Sequence, residues 1–285
     1  MSSPAYSKGG ERSLRIFFGA IVVFLYAPIL ILIIFSFNDH EIVSFPWEGF
    51  TLRWYREFLA NDALLGALRT SLFIATISSI VTVVLAIPAS IALVRRRFFG
   101  KGLASGLLFA PLVIPLVVFG ISLLILFNEI GIPLSSYTVM IGHVVLAMPF
   151  AILTIVPRLE RIPPSLEEAS RDLGAGWLQT FRNITLPLLA PAVVSSFIIC
   201  FTLSFDEIVV ASFVAGTQTT FPIYLFSQLR LPQSLPQVIA VAVVVMTTSV
   251  VIVLLSEIWR RLGDRRLERQ TGETIGELTL SEGKG

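Results

Sequence analysis

Charge is scarce in this chain. Of its 285 residues, 14% are Asp, Glu, Lys or Arg, 55% are hydrophobic, and the mean hydropathy is +0.84. A soluble domain carries about a quarter charged residues, so a water-soluble globular fold is excluded and an all-α polytopic membrane protein is expected. Cys200 is the only cysteine and lies in an apolar run, which rules out a disulfide within the chain. There is no zinc-ligand spacing, no phosphate-binding Gly-Lys-Ser/Thr loop and no Gly-x-Ser-x-Gly elbow. A membrane-embedded enzyme would need a nucleophile, metal ligands or a paired acid and base near one leaflet, and no such set is present. No catalytic residue, metal site or cofactor is therefore expected, and any ATP must be handled by another chain.

What the chain has in abundance is long apolar runs. Residues 1–15 form a polar, basic tail with Lys8, Arg12 and Arg15. An uncharged run over 16–37 follows, too long for a signal-peptide core and without a small-residue cleavage site, so it reads as an uncleaved first span. Five more candidates lie at 70–94, 103–127, 136–157, 188–214 and 237–259, each long enough to cross about 30 Å of hydrocarbon at 1.5 Å per residue. Residues 16–259 thus read as one six-span domain, with a charged loop at 158–187 and a tail at 260–285. Pro88, Pro111, Pro115, Pro149 and Pro191 inside these spans predict kinks.

Basic residues orient the chain. With the N-terminus inside, the two tails, the 95–101 segment and the 158–187 loop hold 17 of the 21 Lys and Arg residues. Only Arg53, Arg56, Arg69 and Arg230 fall outside or at an outer edge. The positive-inside rule then places both termini and the central loop in the cytoplasm. The outer loop 38–69 carries Trp47, Trp54, Tyr55 and Phe58. A short helix over 51–59 would set these aromatic residues against the bilayer or a partner. The last outer loop, 215–236, contains Phe221-Pro222-Ile223-Tyr224-Leu225-Phe226, too short to span and too apolar to float, so it is expected to fold back over the outer mouth.

The loop at 158–187 is the best specified stretch. Pro163-Pro164 ends the preceding span, and Ser165 stands three residues before Glu168, the spacing of a capping box. Leu166, Ala169, Ser170 and Leu173 recur at i, i+3, i+4 and i+7, making one smooth face for a partner. Gly174 sits where a left-handed cap would end the helix, and a second short helix over 177–183 is expected to lead into the next span. The run Glu168-Ala169-Ser170, Gly174, then Ile184, Leu186 and Pro187 resembles the EAA loop of type I ABC-importer permeases, with Ser170 in place of a second Ala. The resemblance implies the type I permease fold and a docking surface for a cytoplasmic ATPase. It further implies that ATP-driven closure of two ATPases pushes the loop helix 165–173, tilts the spans and opens the pathway outward, and that hydrolysis resets it.

Of the acids and histidines only His143, Asp206 and Glu207 lie well inside a span; Glu129 and Glu257 sit at span ends where water reaches them. A carboxylate in hydrocarbon costs at least ~2.5 kcal/mol, so it normally faces a cavity or a partner. On a regular helix Ser195, Thr202 and Asp206 fall within about 20° of one another, a polar stripe that makes Asp206 the candidate pathway residue with Glu207 pairing sideways. His143 and Asp206 lie at similar depths, roughly 10–12 Å down their spans, and could meet. The alternative role for all three is to hold helices together by hydrogen bonds.

The segment Phe201-Thr202-Leu203-Ser204-Phe205-Asp206-Glu207 resembles the fifth span of spermidine/putrescine permeases, and the similarity runs through Ile121-Ser122-Leu123-Leu124 and most of the six spans. What it implies is import of a small organic cation delivered by a periplasmic binding protein. The implied partners are two ATP-binding subunits, the bilayer of a bacterial inner membrane and a second permease, with a heterodimer expected over a homodimer. One departure matters: those relatives often carry an acid after the third-span proline, where this chain reads Pro115-Leu116-Val117-Val118-Phe119. That leaves room for an amino acid or an opine-like solute. An ion-coupled secondary transporter would also show spans and buried acids, but would not need a docking helix with this spacing.

Overall fold

The computed structural model describes residues 8–40, 47–248 and 251. The described residues are mostly helical, and the one bridge among them is an isolated antiparallel pair, Asn38 with Phe50. The chain divides into two compact units, Met1–Ala60 with Leu231–Gly285, and Asn61–Arg230.

In the first unit, α1 (Lys8–Phe35) carries no charge beyond Arg15 and most of its large side chains from Ile16 on are exposed, as in a helix solvated by lipid or by another subunit. Its end is pinned to α2 (Arg53–Leu59), the aromatic helix expected over 51–59. Trp54 Nε1–H donates to the Asn38 carbonyl at 2.8 Å, and Tyr55 Oη lies 2.7 Å from Ser36 Oγ. Trp54 and Phe58 are buried, so these two rings serve packing rather than facing the bilayer; Trp47 stays exposed. A further apolar helix, α12 (Leu235–Thr248), covers the described part of the sixth candidate run. The rest of that run and the 260–285 tail lie outside the described residues.

The second unit is built on three long helices: α3 (Asp62–Arg95), α6 (Ser136–Glu160) and α9 (Leu186–Asp206). Each packs on the other two. The buried face of α3 is a row of small residues, Ala67, Ser71, Ala75, Ser78, Thr82, Ala86 and Ser90, recurring every three or four positions. Small side chains let apolar helices approach closely where no hydrophobic force drives them together. Ser79 and Thr82 return their hydroxyls to carbonyls one turn back, at 2.6 and 2.7 Å, so their burial leaves no donor open.

Two expected spans are not single helices. The 103–127 run is α4 (Lys101–Phe109), a 3-10 turn (Ala110–Leu112) and α5 (Leu116–Glu129), the two arms bent by 107°. Pro111 and Pro115 flank the corner, and each removes an amide donor there, so the run breaks instead of kinking. The 188–214 run stops at Asp206; Glu207 is extended, with ψ 111°, and α10 (Val209–Val214) starts afresh. α10 packs into α5 and α6 around Ile74, Leu123, Phe127, Val139 and Met140. The close approach needs Gly142, where a Cβ would sit 2.9 Å from Val210 and 3.0 Å from Leu123. After α10, α11 (Phe221–Gln228) folds back onto α3 and α9: the Phe221 amide donates to Ser71 Oγ at 2.8 Å, and Asn61 Nδ2 donates to Tyr224 Oη at 3.0 Å.

At the other end of the bundle, α7 (Pro164–Asp172) begins with Pro164 at its first position and Pro163 as cap, without a side-chain cap bond. The capping box expected of Ser165 and Glu168 is therefore absent. A proline at the first position needs no amide partner and fixes φ for the helix, which moves the cap from Ser165 back to Pro163 and puts Ser165 inside the helix. Gly174, at φ +86°, ends α7 as expected, with its amide on the Arg171 carbonyl at 2.8 Å. The second helix does not stand alone. α8 (Trp177–Thr180) runs through a π turn (Phe181–Thr185) directly into α9.

Candidate functional site

Two groups of polar residues stand out in this apolar unit, one at the break between α9 and α10, the other around α7. At the break, Asp206 and Glu207 are adjacent in sequence and sit in different surroundings. Glu207 is buried. Its Oε1 accepts the amides of Val209 at 2.9 Å and Val210 at 3.0 Å, and its Oε2 accepts that of Ala211 at 3.0 Å. These donors are orphaned wherever a helix begins, and a carboxylate is their strongest partner. Restarting the helix inside the bundle thus depends on the residue that interrupts it.

Glu207 Oε2 also lies 3.4 Å from His143 Nε2, and His143 Nδ1 lies 2.7 Å from Ser204 Oγ. His143 is 2% exposed. It therefore meets Ser204 and Glu207, not Asp206, correcting the expectation from depth alone. Depth fixes how far down each residue lies but not which way it points. The helix ends at Asp206, so Glu207 leaves the regular 100° progression and swings inward.

Asp206, Thr202 and Ser195 share the exposed face of α9, as the stripe predicts. Thr202 and Asp206 line a cavity of about 330 Å³ whose other walls include Leu116, Leu146, Phe150 and Val209. Thr202 and Ser195 hydroxyls donate to carbonyls of their own helix, Ile198 and Pro191, each at 2.9 Å. Among the described residues no cation or donor pairs with the Asp206 carboxylate. Beside the stripe runs a ladder that the sequence reading passed over: Phe197, Phe201, Phe205 and Phe221, with successive ring centroids 6.1, 6.0 and 5.8 Å apart. Its first three members recur at i, i+4, a spacing that was open to view.

Around α7 no residue of the helix is buried. Glu168 and Ala169 are exposed, as are Leu166 (44%) and Leu173 (90%). Ser170, expected on the same face, turns inward and lies 3.0 Å from Thr180 Oγ1. Ile184 sits in the π turn, and Leu186 and Pro187 open α9. The residue that ties α7 down is Glu167, which was not singled out from the sequence. It lies 3.8 Å from the Arg95 guanidinium and 3.8 Å from that of Arg171, and accepts a hydrogen bond from Thr185 Oγ1 at 3.2 Å. The Arg171 contact is an i, i+4 pair and legible in sequence; the Arg95 contact is long-range and is not.

Residues 82–269 match the model of a family described as the binding-protein-dependent transport system inner membrane component. The chain is 38% identical over 246 residues to the spermidine/putrescine transport system permease protein PotC of Escherichia coli K12, covering 86% of this chain and 92% of that one. It is 40% identical over 231 residues to the putrescine transport system permease protein PotI of the same strain, covering 78% and 82%. PotC of Haemophilus influenzae is 36% identical over 246 residues, covering 86% and 95%. Among solved structures, a chain of a bacterial ABC transporter involved in the import of the acidic polysaccharide alginate shares the fold, with a TM-score of 0.71 at 18% identity, over 90% of this chain and 99% of that one. The match to the family and to these permeases replaces the reading as an ion-coupled secondary transporter. The chain belongs to the family of inner membrane components of binding-protein-dependent transport systems, as a multi-pass permease subunit that works with a binding protein and with ATPase subunits, to which hydrolysis falls.

Proposed function

We propose that this permease imports a small organic cation of the polyamine class, handed to it by a periplasmic binding protein, and that Asp206 meets the solute's positive charge on the way through. The observation that carries the reading is the unpaired Asp206 carboxylate at a helix break, in a cavity otherwise walled mainly by apolar side chains. A carboxylate kept at such a place costs stability unless a cation visits it. The polyamine names of the relatives point the same way. His143 and Glu207 enter this reading as the support that breaks the span beneath Asp206, with Thr202 and Ser195 continuing the path along α9.

The architecture proposed with it has six spans: α1, α3, the bent α4–α5 pair, α6, the broken α9–α10 pair, and the run that begins with α12. Both termini lie in the cytoplasm, as the distribution of Lys and Arg requires. Glu168, Ala169, Ser170, Gly174, Ile184, Leu186 and Pro187 would then form the contact with an ATPase, and the second permease would be a different chain.

Leu116 favours a second reading. It opens α5 and lines the Asp206 cavity at the position where an additional acid would serve a polycation. With a leucine there, and with Glu207 in the cavity wall already taken up by three backbone amides, Asp206 is the one carboxylate among the described wall residues left for a solute, which suits a monoamine, an amino acid or an opine-like solute better than a longer polyamine. Calorimetry of the cognate binding protein against putrescine, spermidine, basic amino acids and opines separates the two. Tight binding of a polyamine alone supports the first, and binding of amino acids or opines with none to polyamines overturns it.

A further inference from the structure

From the packing around Arg95, we infer that the Arg95–Glu167 pair is the mechanical link between the loop helix α7 and the membrane bundle, and that it sets how much transport each ATP yields. The inference rests on the proposed docking of an ATPase on α7. Since α7 buries none of its own residues, apolar packing cannot transmit its displacement. What holds it is polar. Glu167 receives the Arg95 guanidinium on one side and the Thr185 hydroxyl on the other. Arg95 is the last residue of α3, and its Nη2 donates to the carbonyls of Leu159 at 3.2 Å and Ile162 at 2.6 Å, at the end of α6. Thr185 is buried in the π turn and leads directly into α9.

One partly buried ion pair therefore ties α7 to α3, α6 and α9, the three helices that form the body of the unit. The pair is screened from water, with Arg95 16% and Glu167 14% exposed, so it keeps more of its strength than a surface pair. Arg171, the other cation on Glu167, is half exposed and belongs to α7 itself, so it cannot carry a displacement out of the helix. Ser170 and Thr180 add one neutral contact, to a buried residue of α8, which runs through the π turn into α9. Glu167 and Arg95 are positioning residues; neither touches solute or nucleotide.

The test uses the full complex, with both ATPases and the binding protein, in proteoliposomes. Solute moved per ATP hydrolysed is read alongside retention of the ATPases on purification. Glu167→Gln keeps the size and the Thr185 contact while removing the charge. It should lower solute per ATP roughly tenfold, within the range by which residues between two coupled sites tune their coupling, with the ATPases retained. Arg95→Gln should do the same, and the double variant should lose no more than either single one. An unchanged ratio in Glu167→Gln, or losses that multiply in the double variant, overturns the link. So does loss of the ATPases from Glu167→Gln, because the residue would then act in docking. Thr185→Val, which removes one neutral contact, should fold and give a smaller drop in the ratio; no drop there would overturn the path into α9. Gly174→Asp reports on the docking itself: if that variant keeps both its ATPases and wild-type uptake, the reading of α7 as a docking helix fails, whatever Glu167 does.

Discussion

At the scale of single residues, two neighbouring acids divide one task. Glu207 spends its charge on three backbone amides and His143, while no described residue pairs with Asp206. Glu207→Gln leaves one amide donor group where a carboxylate oxygen accepted, so the start of α10 loses charge-assisted bonds. Hydrogen bonds to charged groups contribute about 1.5–3 kcal/mol each in net terms, and removing one charge should cost the fold about 3 kcal/mol. A change of that size should lower the thermal midpoint of the detergent-solubilised complex by about 5–10 °C. An unchanged midpoint would mean that the cap is dispensable. Sequence could mark both acids as costly and place Asp206 on the stripe. It could not give Glu207 its partners, because the helix that would have fixed their directions stops between them.

Among the elements, the joint of α5, α6 and α10 depends on what is missing from Gly142. Adding a side chain there forces contact with Val210 and Leu123, both inside the packed cluster. Gly142→Val should cost about 1–3 kcal/mol by overpacking and reduce the yield of folded protein. Gly19, in α1, has open space around it and should accept valine without loss, since valine is the better helix former by a few tenths of a kcal/mol, about 0.3. Equal yields for the two variants would contradict the packing described. The loop helix was legible because Pro163, Pro164 and Gly174 punctuate it, and they act locally. Its cap moved from Ser165 to Pro163 because Pro164 takes the first helical position. The 107° corner between α4 and α5 was not legible. Apolar composition marks a span whether or not it bends, and how far a proline turns the chain depends on the neighbours it packs against.

For the molecule as a whole, hydropathy and charge asymmetry were enough for the class, because a bilayer leaves so few ways to satisfy a backbone. They also predict orientation, which chemistry can check in intact cells. With Cys200→Ser, single cysteines at Gly49 and Gln218 should react with an impermeant thiol reagent added outside, and one at Gly102 should not. Labelling in the reverse pattern would invert the orientation. The central claim is that Asp206 meets the solute's positive charge in a cavity walled mainly by apolar side chains, and it is tested most directly by uptake. Initial rates of ATP-driven putrescine uptake are measured in proteoliposomes holding the complete complex, wild type against Asp206→Asn, well below saturation. The account predicts a fall of roughly ten- to a hundredfold with assembly intact, as expected for a lost charge contact of about 1.5–3 kcal/mol in a partly wet cavity. Equal rates in the two proteins would contradict it and leave Asp206 a structural residue.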